Sequence, residues 1–316
     1  MQRRLLLRQP NSSAIFPDEL MVEIVSWLPV KHVMQLRCVN KFFNTLIFDL
    51  HFVQMHLNKS SRNLHLALRY YEPETNSCKS YLVTLTIPGL LQNQLTIFYH
   101  SDPYYQLNDY SLSRHMGHQS CMQQWVVGSC NGLICLYGVS YPSKDRWLCL
   151  WNPAMRTKSK NIWYHNHHFN FSFGYDNLTR SYKVVAVDVE VNSGRKPKGV
   201  VKVYSLGDNS WRDIQRFPLL PLYCFCFSGN NNNGVHLNGT INWLAFRDYS
   251  NGILPLDQCV ILSLDLSTET YTQLLPPPGF DNVSWYHPPK LVILFLVYSY
   301  ATQKGAAAME VAEVTL

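Results

Sequence analysis

The sequence has few charged residues, and its apolar runs are too short for a membrane span or a secretory signal. Charged residues make up 15% of its 316 residues, against roughly 25% in an average soluble protein. The apolar run "LVILFLV" at residues 291–297 is far shorter than the roughly 18 residues that span a bilayer. The start, "MQRRLLLRQP", has too few consecutive apolar residues for a secretory signal. We therefore expect a soluble protein that is not secreted.

The common catalytic and metal-binding motifs are also missing. The sequence has no Gly-rich phosphate loop, Gly-x-Ser-x-Gly elbow or His-Glu-x-x-His helix. His165, His167 and His168 lie close together but have no Cys or carboxylate at ligand spacing. Cys224 and Cys226 lie in an apolar, strand-like run, which favours core packing over a redox pair. We expect no catalytic residue, no metal and no cofactor.

The cysteine usage and the distribution of charge indicate the cellular compartment and the classes of partner that are not expected. The nine cysteines are scattered and odd in number, which favours a reducing compartment over a disulfide framework. We expect the cytoplasm, the nucleus or both. The formal charge of +6 is spread along the chain, whereas nucleic-acid binding normally needs a basic face. We expect neither a nucleic acid nor a membrane as a partner.

Aromatic residues, by contrast, are frequent at 13% and favour β-strands. The stretch "YKVVAVDVEV" alternates, with Val185 and Val187 on one face and Val184 and Ala186 on the other, and predicts a half-buried strand. It forms a predicted hairpin with "VVKVYSL", as "GTINWLAF" does with "CVILSLDL". The Asn-Gly pair in "QWVVGSCNGLICLYG" predicts another hairpin turn.

A weak internal repeat runs through these hairpins. The segments "LWNPAMRTK", "VYSLGDNSW" and "SLDLSTETY" each show an apolar strand end, a polar turn and then Ser/Thr or an aromatic residue. The last two align without gaps at an offset of 60 residues. Repeated hairpins of this period are typical of propeller blades or a related all-β array.

The N-terminal segment has a helical pattern instead. A proline followed by two acidic residues, at 17–19, predicts a helix start. Leu20, Ile24 and Leu28 then form one apolar stripe over about three turns, and Pro29 ends the helix. The stretches "VKHVMQLRCV", "KFFNTLI" and "HFVQMHL" predict three further short pieces.

These helices are too short and too few to be stable by themselves. Isolated helices below about 12–15 residues are marginal in water, and about 45 residues bury too little surface without a metal, disulfides or a partner. One interpretation is that the unit docks on a partner protein. The other is that it packs against the β-rich remainder of the chain. Periodicity alone does not choose between them.

The order and spacing of these residues resemble an F-box. The matching positions run from "PDEL" (17–20) through "LPVK" (28–31) and "LRCV" (36–39) to "LI" (46–47). Where the family usually has leucine before the first proline and tryptophan two residues after the lysine, this chain has Phe16 and Phe43. Both replacements keep a large apolar side chain.

The resemblance implies that the helical unit docks on a SKP-type adaptor, which joins it to the cullin and RING subunits of a ubiquitin ligase. It does not divide the apolar residues between the core of the unit and the adaptor. The expected adaptor-binding residues are Phe16, Pro17, Leu20, Ile24, Leu28, Pro29, Leu36, Val39 and Phe43.

The rest of the chain resembles the F-box-associated domain of plant F-box proteins, including the S-locus type, which is related to kelch-like architectures. Six blocks occur in the family's order: "GSCNGLICL", "LWNPAMRTK", "FGYDNLTRSYKVVAV", "VYSLGDNSWRDI", "HLNGTINWLAF" and "ILSLDLSTETY". After "PPKLVIL" the chain departs from the family pattern. An incomplete last blade and a divergent closing strand both remain open.

We therefore predict an α+β fold by segments, with a flexible tail at 1–13, an all-α F-box unit at 14–58, a mainly antiparallel, propeller-like β-domain at 59–290 and an atypical end at 291–316. The resemblance implies a non-catalytic substrate receptor that recruits a protein target for ubiquitination. The alternatives are an F-box scaffold without a working substrate domain and a β-protein that binds carbohydrates or small molecules. Trp163, Tyr164 and Trp285 are recognition or core residues.

Overall fold

The computed structural model of the chain describes residues 16–60, 65–71, 80–86, 104–110, 121–141, 143–164, 169–190, 198–222, 234–247, 258–276 and 310–314. The chain divides into two units, Met1–Asn63 and Leu64–Leu316. Among the described residues, no helix is both long and apolar enough to cross a membrane.

The first unit, called the helical unit, contains four short helices. Side-chain oxygens close two of the helix starts, where backbone N–H groups otherwise lack partners. The Asn40 Oδ1 accepts from the Phe43 N–H at 2.9 Å, and the Asp49 Oδ1 accepts from the N–H of Phe52 at 3.0 Å. The helices are α1 (Asp18–Val25), α2 (Val30–Leu36), α3 (Lys41–Leu46) and α4 (Leu50–Ser60).

Helix α1 is shorter than the three turns predicted, because it ends at Val25 after 8 residues. The chain then tightens, and the N–H groups of Trp27 and Leu28 bond to carbonyls three residues back, at 3.1 Å each. Such bonds give about three residues per turn instead of 3.6. The approach of Pro29 accounts for the early end, since the residue before a proline disfavours helical dihedrals.

The second unit, called the β-unit, is built from antiparallel strands. Every strand pairing among its described residues is antiparallel. The predicted order of a helical unit followed by mainly antiparallel sheets is confirmed. The strands are β1 (His65–Tyr71), β2 (Ser80–Thr86), β3 (Tyr104–Tyr110), β4 (Cys121–Cys130), β5 (Leu133–Tyr141), β6 (Arg146–Asn152), β7 (Thr157–Lys158), β8 (Ile162–Trp163), β9 (Asn170–Asp176), β10 (Ser181–Glu190), β11 (Lys198–Ser205), β12 (Ser210–Asp213), β13 (Leu220–Pro221), β14 (Val235–Leu237), β15 (Thr240–Phe246), β16 (Cys259–Asp265), β17 (Tyr271–Leu274) and β18 (Glu310–Val314).

The described strands form three sheets. The first has the order β18-β1-β2-β3-β4-β5-β6-β7, with β8 also paired to β6; the second is β12-β11-β10-β9; the third is β13-β15-β16-β17, with β14 paired to β15. Strand β18 pairs with β1, so strands near the two ends of the β-unit are neighbours. That pairing agrees with a closing strand at the C-terminal end, although residues 277–309 lie outside the described residues.

The second sheet packs between the other two, and β10 contributes to both cores. Val185 and Val187 belong to a buried cluster with Trp243 of the third sheet. Val184 and Ala186 belong to a different cluster, with Cys135 and Leu148 of the first sheet. The predicted alternation is therefore correct, but the prediction of a half-buried strand is wrong, because a neighbouring sheet covers each face.

Hairpin turns of one geometry recur in these sheets. In each, a polar residue ends the first strand and the fourth residue after it has a positive φ. Side chains such as Asn152 and Asp265 accept backbone N–H bonds within their turn, at 3.0 and 2.7–2.9 Å. The predicted repeat thus reflects a shared turn, and "DNLTRS" is a fourth example. The positive-φ residues of these four turns are Arg156 (53°), Arg180 (54°), Asn209 (53°) and Glu269 (57°).

A buried ion pair connects two of these turns. The Lys183 Nζ lies 2.7 Å from the Asp176 Oδ2, with side chains that are 3% and 0% exposed, and it also donates to the Leu266 carbonyl at 2.5 Å. The Thr179 hydroxyl donates to the same carboxylate at 2.6 Å. Burial opposes ionisation of Asp176, but the bonds from Lys183 and Thr179 outweigh it and hold the pKa of Asp176 below its ordinary value.

Candidate functional site

The helical unit has a small core of its own. Its buried apolar side chains are those of Val25, Val33, Phe43, Ile47 and Phe52. Partly buried residues that pack around them include Met21, Val22, Leu28 and Leu36. Every helix contributes at least one of these side chains, so the four helices are held together by a single cluster.

The nine predicted adaptor-binding residues are divided between this core and the surface. Phe43 lies in the core and is 6% exposed. Leu28 and Leu36 are half-buried against the same cluster. The exposed residues are Phe16 (50%), Leu20 (43%), Ile24 (48%) and Val39 (63%), together with Pro17 and Pro29.

The outward face of α1 is continuous and apolar. Leu20 and Ile24 are one helical turn apart and therefore lie on the same side. Trp27, 58% exposed, comes three residues after Ile24 and seven after Leu20, and this spacing places it on the same helical face. Leu28, which the predicted stripe placed next, packs inward instead.

Trp27 is held by the end of α4. Its Nε1 donates to the Glu23 Oε1 at 3.1 Å, and the Lys59 Nζ lies 4.6 Å from the centre of its ring. Lys59 also donates to that Glu23 oxygen at 2.5 Å and to the Ser26 hydroxyl at 2.6 Å. The bonds from Lys59 and Trp27 lower the pKa of Glu23. An exposed indole is therefore fixed in one orientation.

Sequence reasoning missed five exposed apolar residues of the helical unit. A usable signal existed for two of them. Trp27 has the spacing that continues the face of Leu20 and Ile24, and Phe42 and Phe43 are adjacent on α3, so both cannot face the same core. Phe48 is covered on one side by Arg37, whose guanidinium lies 4.7 Å from its ring centre. The missed residues are Trp27 (58% exposed), Phe42 (36%), Phe48 (62%), Leu50 (68%) and Val53 (44%).

The β-unit pairs the buried Cys130 with the half-buried His236, and the electrostatics of this pair do not suit nucleophilic catalysis. The Cys130 Sγ lies 3.4 Å from the His236 Nδ1. Burial raises the pKa of Cys130 to about 12 and lowers the pKa of His236, so both groups are neutral near pH 7. A reactive cysteine needs a lowered pKa.

Within the described ranges, no group of three or more His, Cys, Asp or Glu side chains is placed to hold a metal ion. The histidines at 165, 167 and 168 and the cysteines at 224 and 226 lie outside those ranges, so their predicted roles stay predictions.

The candidate recognition aromatics of the β-unit have different environments. Trp163 is 55% exposed. Tyr164 instead packs against Phe171, with ring centres 4.8 Å apart, and burial raises its pKa. Trp285 lies outside the described residues. Of the two that the structure describes, only Trp163 presents most of its ring to a partner.

Comparison with known proteins matches both units. Residues 15–54 match the family described as "F-box domain", and residues 75–301 match the one described as "F-box associated beta propeller domain". An F-box/kelch-repeat protein of Arabidopsis thaliana is 28% identical over 277 residues, which is 85% of this chain and 68% of the relative. Another F-box protein of that plant is 28% identical over 268 residues, 84% of this chain but 51% of the relative.

Proposed function

Because the chain belongs to the F-box-associated β-propeller family and has an F-box domain ahead of the propeller, we propose that it is the substrate-receptor subunit of an SKP–cullin–F-box ubiquitin ligase. In this proposal the helical unit binds the SKP-type adaptor and the β-unit binds the protein to be ubiquitinated. The complex works in the cytoplasm, the nucleus or both.

The observation that carries the proposal is the exposed apolar surface of the helical unit. Within the described residues this unit exposes nine large apolar side chains, which lie on its short helices and on the residues that flank them. Contiguous exposed apolar surface on a soluble protein marks a site of association. In the helical unit, the outer face of α1 is formed by Leu20, Ile24 and Trp27, and apolar helices of an adaptor can pack against it.

The expected energy of docking is concentrated in a few side chains. Complete burial of a leucine or isoleucine side chain contributes roughly 1.5–3 kcal/mol. Leu20 and Ile24 are 43% and 48% exposed, so covering what remains exposed contributes on the order of 1 kcal/mol each. A tryptophan held in one orientation, as Trp27 is, is the residue type most often found at the energetic centre of an interface.

The chain contributes geometry to the reaction and no nucleophile. When adaptor and target are bound to one chain, a target lysine is held at high effective concentration near the ubiquitin-charged enzyme of the complex. Proximity of this kind replaces a bimolecular encounter with an effectively intramolecular one.

The test is binding of the full chain to a purified SKP-type adaptor. The double variant Leu20→Ala/Ile24→Ala is expected to lower the affinity at least about tenfold, a loss of about 1.4 kcal/mol or more. The matched control, Leu178→Ala/Leu237→Ala, removes side chains of the β-unit that are 77% and 48% exposed, and is expected to leave adaptor affinity unchanged.

Unchanged adaptor binding by the α1 variant would overturn the proposal. If the adaptor binds but the β-unit retains no protein that the reconstituted ligase ubiquitinates, the chain is a scaffold. If the wild-type chain does not bind the adaptor at all, the β-unit acts alone and its ligand is of another class.

A further inference from the structure

The outer edge of the first sheet is basic and carries an exposed tryptophan. The 30 residues from Arg146 to Tyr175 contain no Asp or Glu. The described residues Met155–Lys160 are all exposed, and Trp163 follows at 55% exposure. We call Arg156, Lys158, Lys160 and Trp163 the basic edge.

The basic edge is the outermost part of its sheet within the described residues. Strands β7 and β8 pair with β6 and with no other described strand. Between them the Ser159 N–H donates to the Leu150 carbonyl at 2.8 Å, and the Ser159 hydroxyl accepts from the Leu150 N–H at 2.9 Å. The segment 157–163 therefore follows β6 closely, and its other side faces no described strand.

Lys158 and Trp163 lie on the same face of the sheet at a defined spacing. Lys158 is paired with Trp151 and Trp163 with Trp147, and paired residues share a face. Trp147 and Trp151 are four residues apart on β6, so the two edge side chains are about 13 Å apart at about 3.3 Å per residue. That distance equals the spacing of residues i and i+4 in an extended peptide.

The tryptophan of this pair is supported from below. The Trp163 ring centre lies 5.7 Å from that of Trp147, which is 4% exposed. Lys158 and Lys160 have no ion pair within the part of the chain that the structure describes. A fixed aromatic ring at a defined distance from unpaired cations on the same sheet edge is a suitable anchor for an acidic partner.

Lysines on an edge strand also protect a sheet against edge-to-edge aggregation. That role accounts for Lys158 and Lys160 but not for Trp163, because an exposed indole favours association. The combination of an apolar anchor and cations on one sheet edge therefore favours recognition of a ligand over protection of the edge alone.

We propose that the basic edge binds an acidic, extended segment of the target protein, with an Asp or Glu opposite Lys158 and a large apolar residue four positions away opposite Trp163. The inference rests on the proposed function, since it names the chemistry of the target that the β-unit recruits. A peptide can add to an open sheet edge through its backbone while its side chains meet such anchors.

The experiment is selection from a random dodecapeptide display library with the purified full chain. The wild type is expected to enrich peptides in which an acidic residue and a large apolar residue are four positions apart. Lys158→Glu/Lys160→Glu is expected to remove the acidic preference, and Trp163→Ala the apolar one. Trp163→Phe, which keeps an aromatic ring, is expected to retain most of the enrichment.

The matched control is Arg216→Glu/Arg247→Glu, which changes charge equally at exposed positions of the β-unit and is expected to leave the selection unchanged. For an enriched peptide, the Lys158/Lys160 variant is expected to bind at least about tenfold more weakly. The wild-type affinity is expected to fall with added salt, which screens exposed charges.

Three results would overturn the proposal: no enrichment of acidic peptides, the same enrichment with the Lys158/Lys160 variant, or tighter binding of a single-stranded oligonucleotide than of the peptides. Adaptor affinity is measured on the same proteins. Loss of peptide selection with normal adaptor binding by the variant separates this site from the α1 face. A wild type that selects peptides but binds no adaptor contradicts only the ligase assignment.

Discussion

The two units of the chain treat apolar surface in opposite ways. Among the described residues the helical unit buries five apolar side chains and exposes nine large ones, whereas the β-unit buries thirty-seven and exposes nine. The β-unit therefore has a core that can stabilise it without help. The helical unit has a small core and exposes more apolar side chains than it buries. This is the property expected of a docking module.

The contrast also appears in how polar groups are used. In the helical unit, Lys59 and Glu23 form an ion pair at 2.5 Å with side chains 17% and 52% exposed, next to the exposed ring of Trp27. In the β-unit, Lys183 and Asp176 are almost fully buried, and the bond from Lys183 to the Leu266 carbonyl connects their sheet to the third sheet. The exposed ion pair orients the Trp27 ring on the surface, and the buried ion pair stabilises the fold of the β-unit.

The largest expected effect tests the small core of the helical unit. Phe43→Ala removes one of its five buried apolar side chains, and such a truncation costs about 3–5 kcal/mol. We expect this loss to exceed the stability of so small a unit and to unfold residues 18–60. Hydrogen exchange of their backbone amides, measured by mass spectrometry on the full chain, should become fast, while amides of β10 stay protected.

The neighbouring residue provides the control for this prediction. Phe42 is 36% exposed and touches the Phe43 ring edge-on, with centres 5.3 Å apart. Phe42→Ala should leave the exchange of residues 18–60 slow. If the two variants exchange alike, the division of α3 into a core face and a surface face is wrong.

The second prediction concerns the buried ion pair of the β-unit. Lys183→Met leaves the Asp176 carboxylate buried without its counter-ion, which typically costs about 3–5 kcal/mol. Urea unfolding followed by tryptophan fluorescence measures the loss. Lys202→Met is the control, because its ion pair with Asp213, at 2.8 Å, has side chains 35% and 70% exposed, and exposed pairs contribute about 0–1 kcal/mol.

The pH dependence of this pair gives a second readout. The folded-state pKa of Asp176 lies below the ordinary value of 3.8, so its ionised form stabilises the wild type above that value. This stabilisation is lost as the pH falls through the folded-state pKa. In Lys183→Met, protonation instead removes an uncompensated charge. The difference in unfolding free energy between wild type and variant should therefore shrink in acid; a constant difference would argue against a charge effect.

Local signals in the sequence were sufficient for the hairpins. The Asn-Gly pair adopts the two positive φ values, 48° for Asn131 and 76° for Gly132, that a two-residue hairpin turn requires, and the predicted pairing of β15 with β16 is confirmed. The turn depends on neighbouring residues and the strands on their alternating pattern, and both are visible in the sequence.

Predictions that depended on packing between distant segments were less complete. The alternation of β10 marks two faces, but it does not say that Ala186 and Val184 meet one sheet while Val185 and Val187 meet another. The stripe on α1 was continued to Leu28, but Leu28 packs against the core of the helical unit and Trp27 is the exposed residue that follows Ile24. The basic edge was missed because the whole-chain charge hides a stretch without acidic residues.

The smallest expected effect compares two glycines of the first sheet. A Cβ at Gly138 would lie 2.4 Å from a ring carbon of Trp147, whereas one at Gly128 would have its nearest neighbour, the Phe173 Cβ, at 3.7 Å. Gly138→Ala should cost about 1–3 kcal/mol, since Trp147 is buried and has to move. Gly128→Ala should be neutral or stabilising by up to about 1 kcal/mol, because alanine restricts the unfolded chain.

Urea unfolding of the two alanine variants measures this difference, and hydrogen exchange locates it. Because Trp147 supports the exposed ring of Trp163, Gly138→Ala should also weaken peptide selection at the basic edge, while exchange of residues 18–60 stays unchanged. Equal stability of the two variants would mean that the Trp147 ring can shift without cost. The basic edge would then lack the rigid support that makes Trp163 an anchor. The β-unit would also be less tightly packed at this sheet than its buried core suggests, which would reduce its contrast with the helical unit.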